Sequence, residues 1–482
     1  MNCARHAELM DAARARVDDM RRLQAAGLIC DSGDFFPSVH YPPITMYPPI
    51  TEQELFATYT PPPDGLFDVY AHLPFCQGRC LFCHYPVMYG EKLEEKDRYL
   101  SALEKEMDIY MRRLGLDKIR TRSILVGGGT PTYLTPPQLR RFLDFFCKRL
   151  DLTRCQQFNY DVDPVTMSGP DGIERLSIMR DYGVNRLTIG IQSLDEGILK
   201  IMNRPHGVKA AYESIENSLR FGFQTNIEFI FGHPGQTMEN WIDVVEKAVV
   251  TGVEEIQLYR LKVDAYGDFQ GPIKKYKQIK PAVTPTPDEA IMMKQLAIDI
   301  LADHGYHENI RRVFSKEKKH FSLYAHDQCC NLYDEIGLGL TAFSSLRDRF
   351  GLNTQHFEEY YSAIDENRLP LNRGLVRNRD QQIRWSMILP LKNRFVRGKL
   401  FQRRTGADLG KVFPTKIARL REHGLVDMVR RGDEMVLTLT RLGAFFADEV
   451  AEEFHDPSLM PFPRNSYAHG PLYPYDFCGL DE

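Results

Sequence analysis

Pro74-Phe75-Cys76-Gln77-Gly78-Arg79-Cys80-Leu81-Phe82-Cys83 is the stretch on which the reading of this chain turns. Its cysteines are spaced C-x3-C-x2-C, and three thiolates so close together can wrap three corners of a cubane iron–sulfur cluster. No fourth cysteine stands close by, so one iron would stay open to a small molecule, as reductive chemistry on a bound ligand needs. The spacing differs from the paired C-x2-C knuckles of structural zinc. Taken alone, the three cysteines also fit buried thiols or an incomplete zinc site, so the surroundings have to decide. Phe67–Leu73, just before them, alternates large apolar with smaller residues as a strand does.

Working outward, short β-branched or aromatic runs alternate with helical patterns. Strands are expected at Phe67–Leu73, Ser123–Val126, Gln157–Val162, Arg186–Ile191, Thr225–Phe231 and Glu255–Leu261. Helices are expected near Glu94–Arg113, Pro136–Leu150, Asp171–Tyr182, Ala210–Phe221 and Met238–Val250. Strands separated by helices imply a parallel sheet of right-handed crossovers, hence an α/β fold. In barrels of this kind the chemistry gathers at the C-terminal strand ends.

The polar motifs fall at or close to those ends. Gly127-Gly128-Gly129-Thr130-Pro131-Thr132 follows the second strand; its glycines permit close backbone approach to a ligand, or simply a tight turn. Asp161, in Tyr160-Asp161-Val162-Asp163-Pro164, can pair with an ammonium or hydroxyl groups. Gln192 ends the fourth strand in Gly190-Ile191-Gln192-Ser193. Arg204 follows a helical turn later and can reach a carboxylate, or stand as a solvated helix-end cation. Glu228 is an acid inside the apolar run Asn226–Phe231, and is expected to be paired or functional.

With these motifs in view, the chain resembles the radical S-adenosylmethionine (SAM) superfamily, and within it the oxygen-independent coproporphyrinogen III dehydrogenase family. The likeness runs from Val69 to Phe343 and into the C-terminal region. It implies a partial (β/α)6 radical SAM barrel, with Cys76, Cys80 and Cys83 holding a [4Fe-4S] cluster whose open iron is chelated by SAM. Reduction then cleaves SAM to methionine and a 5′-deoxyadenosyl radical. By position, Tyr70, Asp161 and Phe343 match contacts to one SAM. Phe82, Gly128, Gly129, Thr130, Gln192, Arg204, Glu228 and Lys262 match contacts to SAM molecules in the site, of which two are expected.

The departures are informative too. The dehydrogenases carry a further cysteine two residues past the motif, where this chain continues His84-Tyr85. Asp327-Gln328-Cys329-Cys330-Asn331-Leu332-Tyr333 replaces an Asn-Phe-Gln-Gly-Tyr-like segment. A changed substrate wall beside a retained radical-generating side resembles the class C methylases and cyclopropanases of natural-product pathways. The expected activity is therefore methylation or cyclopropanation of an unsaturated or aromatic small molecule by a second SAM. Cys329 and Cys330 become candidate catalytic thiols, or else small residues packed under a loop. Tetrapyrrole chemistry (porphyrinogen decarboxylation, or haem methylation with ring opening) is the alternative, and a haem-binding chaperone the alternative of another class.

The rest of the chain frames that core. Residues 4–27 have helical spacing, with Leu9, Ala12, Ala13, Val17, Met20 and Leu23 on one face. The proline-rich run Phe35–Pro63 is expected to be extended, a linker or an arm across the catalytic domain. Past Val376, helices at Gln381–Lys392, Leu400–Arg404 and Phe413–His423 precede a hairpin turning at Arg430-Arg431-Gly432-Asp433, which resembles the family's winged-helix-like α+β domain. The expected organisation is an arm (1–66), barrel (67–310), substrate-side extension (311–375), C-terminal domain (376–455) and Pro/Tyr-rich tail (456–482).

A length of 482 residues implies more than one core, and a net charge of −4 gives no general pull toward nucleic acid. Ten cysteines are too sparse for a disulfide scaffold, and no apolar run reaches membrane-spanning length. A cytoplasmic monomer is expected, binding neither nucleic acid nor membrane. Its partners would be a small-molecule substrate and an electron donor such as flavodoxin or ferredoxin, and the likeness also allows a separate methyltransferase.

Overall fold

The alternation of strand and helix patterns resolves into one large mixed sheet. A computed structural model describes residues 3–29, 40–83, 85–90, 92–261, 273 and 283–460. The strands of the main sheet are β1 (Leu66–Leu73), β4 (Ile119–Gly128), β5 (Leu150–Asp151), β6 (Gln157–Val162), β7 (Arg186–Gln192), β8 (Gln224–Phe231), β9 (Glu255–Arg260), β10 (His307–Ile310), β11 (Val313–Ser315), β12 (Glu335–Leu338), β13 (Phe343–Leu346), β14 (Arg349–Asn353) and β15 (Leu371–Val376). The short strands β2 (Phe75–Cys76) and β3 (Met88–Tyr89) pair separately, in parallel. The main order is β10-β11-β9-β8-β7-β6-β4-β1-β12-β13-β14-β15, with β5 beside β4.

The six expected strands are the parallel run β1-β4-β6-β7-β8-β9. Helices Leu93–Leu114, Pro136–Arg149, Gly169–Asp181, Val208–Arg220 and Met238–Val250 lie between them in sequence. Two of these begin with reciprocal capping boxes, Thr135 with Gln138 and Thr237 with Asn240, which satisfy the free amides of the first turn. Their apolar faces join the strands in one core that includes Val69, Ile124, Phe142, Leu187, Ile227 and Trp241.

The sheet runs further than the six-unit expectation. β12 continues it in parallel beyond β1, and β13–β15 follow antiparallel. On the other edge, the hairpin β10–β11 pairs antiparallel with β9 and spans the expected boundary at 310/311. The pairs β10–β11 and β13–β14 lack the crossover-helix rhythm that reveals the others, because antiparallel neighbours can be joined by tight turns.

The N-terminal helix, Cys3–Ala25, lies antiparallel on the helix Pro287–Asp303, with Arg5 paired to Asp303 and Arg21 to Asp288. Leu9 and Ala13 join the barrel core, whereas Val17, Met20 and Leu23 join the C-terminal one, so this helix sews the two together. Ala12, expected on the apolar face, is exposed. The proline-rich arm, where described, is not wholly extended. A capping box between Thr51 and Glu54 starts a short helix, Glu52–Phe56, and Pro49 bridges to Arg373 at the sheet edge. Past β15, β16 (Phe395–Arg397), β17 (Val426–Arg431) and β18 (Glu434–Leu439) form a three-stranded sheet packed with helices Arg379–Lys392, Gly398–Thr405 and Pro414–Glu422, the expected winged-helix-like pattern. The Pro/Tyr-rich tail beyond residue 460 lies outside the described residues. Among the described residues, no helix is long and apolar enough to cross a membrane.

Candidate active site

A cavity of about 490 Å³ opens at the C-terminal ends of the parallel strands. Alternate residues along a strand share a face, and β7 and β8 line the cavity in that way, through Thr188, Gly190 and Gln192 and through Glu228 and Ile230, while the end of β6 contributes Asp161, Val162 and Asp163 in succession. Tyr70 enters from β1, and Tyr259 and Arg260 from β9. Beneath them, Arg186 meets Glu255 in a buried two-point ion pair at 2.8 and 3.0 Å, a rigid polar floor to the barrel.

Cys76, Cys80 and Cys83 line the same cavity, and none of them is in a disulfide. Their loop is clamped from below by the segment after β7. Met202 O accepts from Leu81 N at 2.9 Å, and Asn203 Nδ2 donates to Arg79 O at 2.6 Å. Arg204 donates to Cys80 Sγ at 3.1 Å, to Asp163 Oδ2 at 2.5 Å and to Gly190 O at 2.7 Å. The partner of Arg204 is therefore the chain's own Asp163, which sequence reasoning did not single out. Its position two residues past Asp161, on the same strand face, was the available signal.

Gly129 fits against this loop because it has no side chain. A Cβ there would lie 2.7 Å from Phe75 O and 2.9 Å from Cys76 Sγ. Gly128 has φ +116°, a conformation open mainly to glycine, and a Cβ would meet the His72 ring at 2.9 Å. The glycine run thus brings backbone into direct contact with the cysteine loop. Thr130 Oγ1 lies 3.5 Å from Cys76 Sγ.

The three thiols suit a multi-iron group better than a single ion. Among the described residues, no set of three His, Cys, Asp or Glu side chains gathers around a point where one metal ion could sit. In a cubane each cysteine binds its own iron, so such convergence is not required. Burial pushes the Cys76 thiol up to about 12, and a cationic centre is what would hold it as thiolate.

Two carboxyls face the same space. Burial raises Asp161 to about 7, and burial together with the neighbouring Asp161 raises Glu228 to about 8. Asn159 donates to Asp161 at 3.2 Å and the Tyr259 hydroxyl donates to Glu228 at 3.2 Å; among the described residues, neither acid has a cation in ion-pair contact. A ligand bearing an ammonium or sulfonium would favour their charged forms.

The expected site residues therefore divide. Tyr70, Cys76, Cys80, Phe82, Cys83, Gly128, Gly129, Thr130, Asp161, Gln192, Arg204 and Glu228 converge on the cavity. Lys262 lies outside the described residues. Phe343 does not line this cavity: its ring stacks on Phe350 at 5.0 Å and meets His40 edge-on at 4.6 Å, drawn into an aromatic cluster at the far sheet edge. Cys329 and Cys330 do not line it either. They sit in the wide helical turn Asp327–Asn331, where Cys330 is buried with Ile310 and Val313 and Cys329 packs beside it. Burial pushes the Cys329 thiol up to about 11 and that of Cys330 well above its usual value, as apolar packing dictates. Tyr85, from the departure after Cys83, does line the cavity, as do Tyr259 and Arg260, which sequence reasoning left aside.

Comparison with known proteins fits this geometry. Residues 70–248 match the sequence profile of the radical SAM superfamily, and the chain carries a radical SAM domain, whose cofactors are a [4Fe-4S] cluster and SAM. Within that superfamily its homologues are oxygen-independent coproporphyrinogen III oxidases and heme chaperones. It is 27% identical to the heme chaperone HemW of Bacillus subtilis over 392 residues, 80% of this chain and 98% of that protein. It is also 27% identical to the oxygen-independent coproporphyrinogen III oxidase of Escherichia coli over 341 residues, 68% and 72% of the two chains. The solved structure of coproporphyrinogen III oxidase from Escherichia coli superposes with a TM-score of 0.73, covering 86% of this chain and 96% of that one at 23% identity, and shows the shared fold.

Proposed function

We propose that this radical SAM enzyme uses a second SAM to transfer a methyl or methylene group to an unsaturated or aromatic small molecule. The observation that supports a SAM-cleaving site is the meeting of three cysteine thiols and two carboxyls, raised to about 7 and about 8, in one cavity. Cys76, Cys80 and Cys83 would hold the cluster, which supplies the electron that cleaves the sulfonium. Arg204, Asp163 and Asn203 keep the cysteine loop in place. Tyr70, Asp161 and Glu228 would hold the cationic end of SAM, and Gln192 offers an amide to its polar groups. Gly128 and Gly129 let the backbone lie close to the ligand.

The second reading is tetrapyrrole chemistry by hydrogen abstraction, as in porphyrinogen decarboxylation, supported by the names of the curated relatives, coproporphyrinogen III oxidases among them; haem methylation would count with the first reading in the test below. A third, heme carriage without turnover, is supported by the chaperone relative. SAM carrying a labelled methyl group separates the three. Methyl or methylene transfer yields 5′-deoxyadenosine, S-adenosylhomocysteine and labelled product. Release of only 5′-deoxyadenosine and methionine, with unlabelled product, would rule it out and favour hydrogen abstraction, as decarboxylation requires. Tight heme binding with negligible SAM consumption would favour the carrier.

A further inference from the structure

A second cavity, of about 840 Å³, lies at the opposite end of the sheet. Its edge strand β10 connects through β11 to the N-terminal end of β9: His307 pairs with Ser315, and Ser315 with Glu255. The cluster cavity takes its residues from the other end of β9, and no residue lines both. The groove runs where the N-terminal helix, β10 and the edge strand β16 of the C-terminal sheet meet. Arg394 ties the two sheets together, donating to Glu308 O at 2.5 Å.

Its walls combine positive charge with aromatic rings. Five Lys or Arg residues line it against a single acid, Glu308. Three of the five are satisfied within the chain: Arg16 by Asp19, Arg394 by Glu308 and Arg441 by Asp299. Lys318 and Arg431 have no carboxylate partner among the described residues. Both are exposed on the rim, and the Arg431 guanidinium stands 5.4 Å from the centre of the Phe395 ring. Phe395 and Phe321 are half-buried and present ring surface to the groove. Arg431, at the hairpin turn Arg430–Asp433, thus faces a concave site.

We propose that this groove is a second ligand site, for a small molecule that joins a planar ring to two or more negative charges, the chemistry of a nucleoside diphosphate. The volume lies in the range of about 300–1,000 Å³ typical of small-molecule pockets. Unpartnered cations on the walls of a concave site concentrate anions there. Guanidinium and ammonium groups bind phosphate oxygens through charge-assisted hydrogen bonds, while aromatic faces take a flat ring. The chain's net charge of −4 provides no broad basic surface for a nucleic acid, so the positive field is local to the groove.

The test is calorimetric titration of the reconstituted full-length holoenzyme with ADP, in saturating SAM so that the cluster cavity is filled. One ADP per chain should bind, with adenosine and pyrophosphate each binding more weakly than ADP. The double variant Lys318→Glu/Arg431→Glu should weaken ADP at least about tenfold, the usual loss for a charge-assisted contact or two. Both residues are exposed, so the variant should keep its fold by circular dichroism and its rate of SAM cleavage. Unchanged ADP affinity in the variant would overturn the proposal. So would displacement of ADP by SAM, which would put the nucleotide in the cluster cavity, or pyrophosphate binding as tightly as ADP, which would show that no ring is read.

Discussion

Removing the guanidinium of Arg204 tests how the cysteine loop is held. Arg204→Met deletes three contacts at once, to Cys80 Sγ, Asp163 Oδ2 and Gly190 O, while keeping an unbranched apolar stem. The ion pair is buried, with side chains 9% and 10% exposed. Breaking a buried pair by removing one partner costs about 3–5 kcal/mol, chiefly because the other charge is left without compensation. Adding Asp163→Asn removes that charge and retains an oxygen for its 3.0 Å bond from Val165 N, so a large part of the loss should return. The chain has two tryptophans, and Trp241 sits in the barrel core whereas Trp385 sits in the C-terminal one. In a Trp385→Phe background, the fluorescence of Trp241 therefore follows the barrel alone. With a urea m-value of roughly 3 kcal/mol/M, the midpoint of the metal-free protein should fall by about 1 M or more in the single variant and recover partly in the double. A shift below about 0.3 M, on the same m-value, or a further fall on adding Asp163→Asn, would refute the buried-pair argument.

Three further outcomes are expected. Gly129→Ala forces a Cβ to within 2.7 Å of Phe75 O and 2.9 Å of Cys76 Sγ, overpacking of about 1–3 kcal/mol. Iron per chain after anaerobic reconstitution should fall well below the roughly four of a cubane, whereas Gly78→Ala, with nothing within 4 Å, should load normally. In the metal-free protein Asp161 and Glu228 should contribute stability that is lost as pH rises through about 4 to about 8, against the opposite contribution at the lower end of buried imidazoles such as His72 and His206, lowered to about 3 and about 4. Asp161 and Glu228 have folded values raised to about 7 and about 8, so at these two groups the folded state holds more protons than the unfolded one across that window. A double variant, Asp161→Asn with Glu228→Gln, should remove only this contribution, so its melting temperature relative to wild type should rise with pH across the window, while Glu106 and Glu452, raised to about 7 and about 8, keep theirs. Cys329→Ala and Cys330→Ala should retain SAM cleavage and product formation, losing only packing stability of about 1 kcal/mol; product loss with intact SAM cleavage would mean that these thiols do reach the substrate.

Much of this architecture is visible in the linear order of residues because periodicity belongs to single elements. Strand β6 and the helix Met238–Val250 have the bounds their patterns suggest, and the other parallel strands differ at their ends. The cysteine spacing is likewise local, as is the glycine run at the end of β4. The strands that escaped the pattern, β10 to β15, are three to six residues long and lack the crossover rhythm that marked β6, and the helix Pro287–Asp303 escaped it as well.

What the sequence determined by itself is thus the parallel strands with their crossover helices and the close spacing of three thiols, all governed by neighbours within a few residues along the chain. Only the tertiary structure decided which distant side chains meet. Arg204 and Asp163 come together because β6 and β7 are neighbours in the sheet, and the segments that follow them carry the two side chains. Asp161 and Glu228 become near-neutral acids because strands two places apart turn them into one enclosed cavity. Cys329 and Cys330, polar candidates when read in line, are placed among Ile310 and Val313 by the β10–β11 hairpin. The cost of burying a charge or a thiol depends on what the neighbouring elements bring to it, and that is set by packing across the sheet.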